Sequence, residues 1–368
     1  MTKSSEQTVP AKSSPDPGAE AGGDPRRMTR RGWTLVVSGS LFLVFVVLGL
    51  VVPVPFVAIS PGPTYDTLGR DAAGNPVIQV TGHETHPTTG ELRMTTVSLH
   101  DGVTLFQGLG FWASGRYALA PREEYFKPGE TNEQVKQENI QQLQDSQSNA
   151  QVAALRKLGY PIKVLAKQIV SGSPADHVLA PGDKLITVNG KKIVEAADVR
   201  AALAGTLPGQ TVQITFQSDG QPERTVPLTL ASRPDRKEGF IGLTAADRAE
   251  VPFNVNISLQ DVGGPSAGLM FTLAIIDRLK GDDIAGGRHI AGTGEITETG
   301  EVDPIGGISF KVVGAREAGA TDFLVPEHNC AEAKTNAPDG LNLIKVSTLD
   351  DALAQLANLK AGRPTASC

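Results

Sequence analysis

Apolar and polar positions divide this chain into stretches with different periods. From Trp33 to Tyr65 no charged residue occurs, and Trp33 to Val52 is apolar on every side. About 20 such residues match, as a helix, a bilayer hydrocarbon core ~30 Å thick. The stretch is long for the apolar part of a signal peptide, and no A-x-A-like cleavage site follows it. We therefore expect an uncleaved transmembrane helix over residues 33–53, inserted in lipid. Arg26, Arg27, Arg30 and Arg31 precede it. The positive-inside bias then predicts a cytoplasmic N-terminus, with residues beyond ~55 outside. Residues 1–32, rich in Ser, Pro, Gly and charge, read as a disordered cytoplasmic tail.

Beyond the span the period changes. Val52-Pro53-Val54-Pro55 and Ser60-Pro61-Gly62-Pro63 predict a stiff, turn-rich exit. Val77–Val80 and Glu91–Leu99 read as strands, so 54–130 is expected to be a strand-rich, membrane-proximal segment. Residues 131–159 predict a helix opened by a Thr131/Gln134 capping box. Its apolar positions (Val135, Ile140, Leu143, Val152, Leu155) are sparse and its polar face is Gln-rich, which predicts a solvated connecting helix. Residues 160–233 alternate among short strands, turns and one amphipathic helix, Glu195 to Ala204. Val255 to Leu259 alternates like a strand, while Leu269 to Ile276 is apolar almost all round and predicts a buried helix. The whole reads as an α+β chain.

Composition narrows the function. At 368 residues there is room for two or three domains. The net charge of −6, with no basic stripe among aromatics, argues against a nucleic-acid partner. Six histidines form no H-E-x-x-H pair and no C-x-x-C occurs, so no metal or other cofactor is expected. Two cysteines, Cys330 and Cys368, exclude a disulfide framework; whether they pair is left open.

Within 160–233, the runs Ser171-Gly172-Ser173-Pro174-Ala175, Pro181-Gly182-Asp183 and Val188-Asn189-Gly190 occur in order. These motifs, with strands Lys184–Val188, Thr211–Phe216 and Arg224–Leu230 around the helix, resemble a bacterial-type PDZ domain. The resemblance implies peptide capture by strand addition beside the first strand, around Ile162, with the peptide end held by backbone N–H groups. Leu158-Gly159-Tyr160 stands where that loop would be; it also fits a plain helix C-cap.

The candidate chemistry lies further on. Ser266 sits in Gly263-Gly264-Pro265-Ser266-Ala267-Gly268, at the start of the apolar helix. There it is placed either as a cap or as a nucleophile beside helix-start N–H groups that suit an oxyanion. Lys311 follows, with Ile308, Val312 and Ala315, the i, i+3, i+4, i+7 pattern of one helix face. Such a lysine either snorkels to water or, desolvated, loses its proton near neutral pH and acts as a base.

Gly264-Pro265-Ser266-Ala267-Gly268, Thr293-Gly294-Glu295-Ile296, the run Gly300 to Gly307, Lys311 and Phe323 to Asn329 resemble, in order and spacing, the proteolytic domain of Lon-type proteases. The resemblance covers residues 240–360 and implies Ser266 as nucleophile, Lys311 as general base and Thr293 as the residue orienting the amine. Gly264, Pro265, Ser266 and Ala267 are then the candidate backbone of the oxyanion site. With the anchor and the PDZ-like module, the chain resembles membrane-anchored bacterial PDZ–Lon proteins. That implies protein or peptide substrates, extracytoplasmic domains and a homo-oligomer. One departure stands out. Many Lon proteases carry an acid three positions before the serine; here it is Gly263, and the nearest acid is Asp261. No G-x-x-x-x-G-K-[ST] run occurs, so cleavage is expected to be ATP-independent.

A Lon domain needs more strands than 240–360 provides, so residues ~70–115 are expected to complete it around an inserted PDZ module. Two other readings are carried. Gly264 to Gly268 also fits the G-x-S-x-G elbow of α/β-hydrolases, with Asp303 or Asp322 and His328 as partners. The chain would otherwise be a non-catalytic, membrane-anchored peptide-binding adaptor.

Overall fold

A computed structural model describes residues 29–127, 129–259 and 262–368. Residues 1–28 of the expected tail, with Arg26 and Arg27, lie outside the described residues, as does Asp261, while Arg30 to Gly32, expected in the tail, already belong to the first helix. Helix α1 (Arg30–Val51) opens at Thr29, whose side chain accepts from the Gly32 N–H. It is long and apolar enough to cross a membrane, a test that a signal sequence also passes. The expected turn-rich exit is instead largely a strand, β1 (Phe56–Asp66). Ser60-Pro61-Gly62-Pro63 falls at a register shift between Pro61 and Thr64, where a missing proline N–H breaks no regular ladder bond. Gly62 is needed there, since a Cβ would lie 2.4 Å from Thr96 Oγ1 and 2.9 Å from the backbone of Thr96 and Val97.

Strands β2 (Ile78–Thr81) and β3 (Glu91–His100) follow, then helix α2 (Leu105–Ser114) and β4 (Ala118–Pro121). Helix α3 (Asn132–Lys157) carries the Thr131/Gln134 capping box. It is not a solvated connector. It buries Leu143, Ser146, Ala150 and Val152 to Leu155, and Leu143, Ala150, Ala153, Ala154 and Leu155 lie in the same core as the apolar helix after Ser266. Small residues on this face allow close helix approach, and small or polar side chains give little apolar signal.

The next stretch folds on itself. Strand β5 (Ile162–Ile169) opens it. Strands β6 (Lys184–Val188) and β7 (Lys191–Lys192) turn through Asn189 and Gly190, both at positive φ, as a two-residue hairpin loop demands. Helix α4 (Ala196–Leu203), β8 (Thr211–Gln217), β9 (Arg224–Thr229), the hairpin β10 (Ala231–Arg233) and β11 (Arg236–Phe240), and β12 (Leu243–Ala249) complete it. The sheet runs β12-β5-β6-β8-β9 over a core including Val164, Leu185, Ile214 and Phe216. Strand β12 pairs antiparallel with β5 from Leu243 opposite Ile169 to Ala249 opposite Ile162.

The last stretch contains β13 (Asn254–Ile257), α5 (Gly268–Lys280), β14 (His289–Gly292), β15 (Glu295–Ile296), β16 (Val302–Asp303), α6 (Ile308–Glu317), β17 (Asp322–Pro326), α7 (Cys330–Thr335), β18 (Asn342–Val346) and α8 (Leu349–Lys360). Its sheet is shared with the segment 56–121, in the order β18-β17-β14-β3-β1-β4. Strand β14 runs parallel to both β17 and β3, and β13 pairs with β2. Strands from both sides of residues 162–249 thus form one core, with Leu92 and Met94 of β3 packed in the cluster of Leu269, Phe271 and Ile275 of α5. Cys330 and Cys368 are disulfide-bonded.

Candidate active site

The serine turn is held from several sides. Gly264 has φ +87°, a left-handed conformation that glycine accepts without strain, and its N–H donates to the Asn139 carbonyl of α3 at 3.0 Å. Ser146 Oγ, also on α3, donates to the Pro265 carbonyl at 2.8 Å. A Cβ on Gly263 would come within 2.8 Å of Asn139 Cβ. Helix α3 is therefore a direct support of the turn. Sequence reasoning missed Asn139 and Ser146 because they act through a backbone carbonyl and a small buried hydroxyl. The Ser-x-x-x-Ala spacing from Ser146 to Ala150 was the available signal of a close-packed face.

Ser266 is half-buried and does not cap α5. The N-cap is Ala267, with no side-chain capping bond. The Ser266 carbonyl, in contrast, is doubly engaged: the Gly294 N–H donates to it at 2.9 Å and Thr293 Oγ1 donates to it at 3.0 Å. The Thr293 hydroxyl in turn accepts from Lys311 Nζ at 3.1 Å. One buried hydroxyl thus ties the serine backbone to the lysine amine. Thr293 can take this place because β14 ends at Gly292 and the chain turns through Gly294, whose φ of +155° and close neighbours Val302 and Leu269 exclude a side chain.

Lys311 lies on the expected face of α6, buried with Ile308, Val312 and Ala315. It is only 3% exposed, and among the described residues no carboxylate pairs with it. Burial without a counter-charge pushes its pKa down from 10.5 to about 7. Ser266, Ala267 and Lys311 line one open cleft, walled by Pro63 and Tyr65 of β1 and by Met94, Thr96 and Val97 of β3. Among the described residues the lysine amine donates to Thr293 and not to Ser266 Oγ.

The oxyanion candidates need correction. Pro265 has no N–H to give, and that of Gly264 is spent on Asn139. The N–H groups of Ser266 and Ala267 have no hydrogen-bond partner among the described residues, which leaves these two as donors.

The peptide-end candidates also need correction. The N–H groups of Leu158, Gly159 and Tyr160 donate to the carbonyls of Ala154, Arg156 and Leu155, each at 3.0 Å, closing the C-terminus of α3 as a Schellman-type cap. Ile162 pairs with Ala249. For the Ser-His-Asp reading, neither His328, Asp303 nor Asp322 lines the cleft of Ser266. Asp322 is paired with Arg288, and β13, before the serine, is antiparallel to β2, unlike the parallel strand that an elbow follows.

Comparison with known proteins finds both kinds of domain in the same order along the chain, with bounds that differ from those of the folded units. A family model of the Lon protease (S16) C-terminal proteolytic domain matches residues 256–358, and a PDZ domain model matches residues 137–227. Lon protease 1 of Sorangium cellulosum is 38% identical over 123 residues, covering 32% of this chain and 14% of that protein. A probable periplasmic serine endoprotease, DegP-like, of Hahella chejuensis is 27% identical over 115 residues, 31% of this chain and 24% of that protein. The PDZ domain of the SdrC-like protein of Listeria monocytogenes aligns at 22% identity and a TM-score of 0.21, over 22% of this chain and 85% of that domain. The chain thus spans less than a quarter of the length of these two curated relatives. By its motifs, its family matches and the buried Thr293–Lys311 pair beside Ser266, the chain carries a Lon-type (S16) proteolytic domain joined to a PDZ domain.

Proposed function

We propose that the protein is a membrane-anchored serine endopeptidase that cleaves extracytoplasmic proteins or peptides without ATP, using a Ser266–Lys311 dyad. The observation that carries this reading is the Lys311 amine. It is buried, without a counter-charge, poised near neutral pH and joined through Thr293 to the serine turn. A fold rarely keeps a lysine at such a cost unless it is used. In its neutral form the amine accepts the Ser266 hydroxyl proton as Oγ attacks the scissile carbonyl. The resulting ammonium returns that proton to the leaving amine. Water then attacks the acyl-enzyme ester with the same lysine as base. The N–H groups of Ser266 and Ala267 receive the oxyanion at the positive end of α5. Thr293 positions the amine; the lysine turns from it towards Ser266 Oγ as substrate fills the cleft, since catalytic hydrogen bonds tighten in the complex.

The placement outside the cytoplasm is supported by Arg30 and Arg31 at the start of α1 and by the Cys330–Cys368 bond, which persists in oxidising compartments. The absence of a nucleotide loop fits that side of the membrane. The test is cleavage of an unfolded polypeptide without nucleotide. Ser266→Ala and Lys311→Met are each expected to lower turnover by about 10³-fold or more. Full activity in either variant overturns the dyad, and loss of activity in His328→Ala would restore the Ser-His-Asp reading.

A further inference from the structure

Helix α2 buries only Gly108. Leu105, Phe106, Leu109 and Trp112 are all exposed, Trp112 at 72%, and the helix contains no charged residue. Its position relative to α1 is fixed. The Val54 N–H donates to the Val103 carbonyl at 2.8 Å, and the Phe106 ring lies against Gly49, where an added Cβ would meet it at 2.7 Å. Gly49 is two residues before the end of α1, roughly 3 Å along the axis. Wherever α1 leaves the hydrocarbon, α2 is therefore at the same depth. We propose that α2 lies in the plane of the outer membrane interface, with its Leu, Phe and Trp side chains in lipid. An uncharged apolar face with a tryptophan suits the boundary between headgroups and acyl chains. The proteolytic domain is then held against the membrane by two contacts, one spanning and one in-plane. This rests on reading α1 as a bilayer span.

The chain has two tryptophans, Trp33 in α1 and Trp112 in α2, so each reports alone once the other is Phe. The full chain is reconstituted in vesicles whose acyl chains carry bromine either near the headgroup or near the chain end. In Trp33→Phe, Trp112 emission is expected to be quenched by the shallow label at least about twofold more than by the deep one. Unquenched Trp112 with quenched Trp33 (measured in Trp112→Phe) overturns the in-plane helix and leaves the anchor standing. Loss of quenching at both overturns the anchor reading, and the in-plane helix with it.

Discussion

The PDZ module and the proteolytic domain are built in opposite ways. The module keeps its core in one stretch of chain, 162–249, whose two ends are cross-strand partners, Ile162 and Ala249. The proteolytic domain draws its sheet and its core from both sides of that stretch: β1, β3, β4 and α3 before it, α5, β14, β17 and β18 after it. A contiguous module tolerates insertion because its ends lie together at the surface. A divided domain acquires an active site whose parts are far apart in sequence, with the Ser266 turn resting on Asn139 and Ser146.

The contrast is broken most directly by dissection. Residues 236–368 alone lose β3 from the edge of β14 and α3 from the face of α5, and are expected to be unfolded by circular dichroism. Replacing 162–249 by a short Gly-Ser linker is expected to leave a cooperatively melting proteolytic domain that cleaves a short unstructured peptide. A stable, active 236–368 fragment would remove the distinction.

The next largest effect comes from the lysine. With its pKa near 7, the acid limb of kcat/KM is expected to rise with pH through about pH 7, because only the neutral amine accepts a proton. The stability consequence has the same root. Between about 7 and 10.5 the unfolded chain holds a proton that the folded chain lacks, so this group's contribution to stability rises with pH across that window. Below it the penalty is complete, on the order of 5 kcal/mol. Lys311→Met, while inactive, is therefore expected to melt higher than the parent near pH 6, with the advantage shrinking as pH approaches 10. A Lys311→Met protein that melts lower at every pH would show that the amine is not held at such a cost.

Thr293→Val keeps the shape and removes the hydroxyl shared by the Ser266 carbonyl and the lysine amine. It is expected to lower kcat about 10- to 100-fold with little change in KM and to move the acid limb to lower pH, because the ammonium form loses an acceptor. Thr293→Ser should restore both. The smallest effect is expected from Gly263→Ala, whose Cβ would press on Asn139 of α3. It should cost roughly 1–2 kcal/mol and a few-fold in turnover, while leaving peptide binding by the PDZ module unchanged. Effects of equal size on binding would mean that the two regions are not separable in this way.

The same division explains what could be read from the chain alone. Local signals were legible where short-range chemistry fixes them. The buried stripe of Ile308, Lys311, Val312 and Ala315 follows from helical period, the Asn189-Gly190 hairpin from positive φ, and α5 from its unbroken apolar run. Helix α3 was misread because Ser146, Ala150, Ala153 and Ala154 bury a face without looking hydrophobic. The Ser60-Pro61-Gly62-Pro63 run looked like a turn because its bulge is set by a partner strand some 30 residues away. The Leu158–Tyr160 loop looked like a receptor because nothing in its composition tells whether its N–H groups are already spent.

The sequence by itself determined the reacting types, their spacing and the apolar surroundings that shift the lysine, since these depend on side-chain chemistry and helical period. Only the tertiary structure decided which N–H groups of the serine turn stay unpaired among the described residues, that one threonine hydroxyl joins serine and lysine, and that the N–H groups of Leu158 to Tyr160 close helix α3. Those are matters of hydrogen-bond pairing between distant backbone groups, and every residue but proline carries the same N–H, so composition does not record how each one is used.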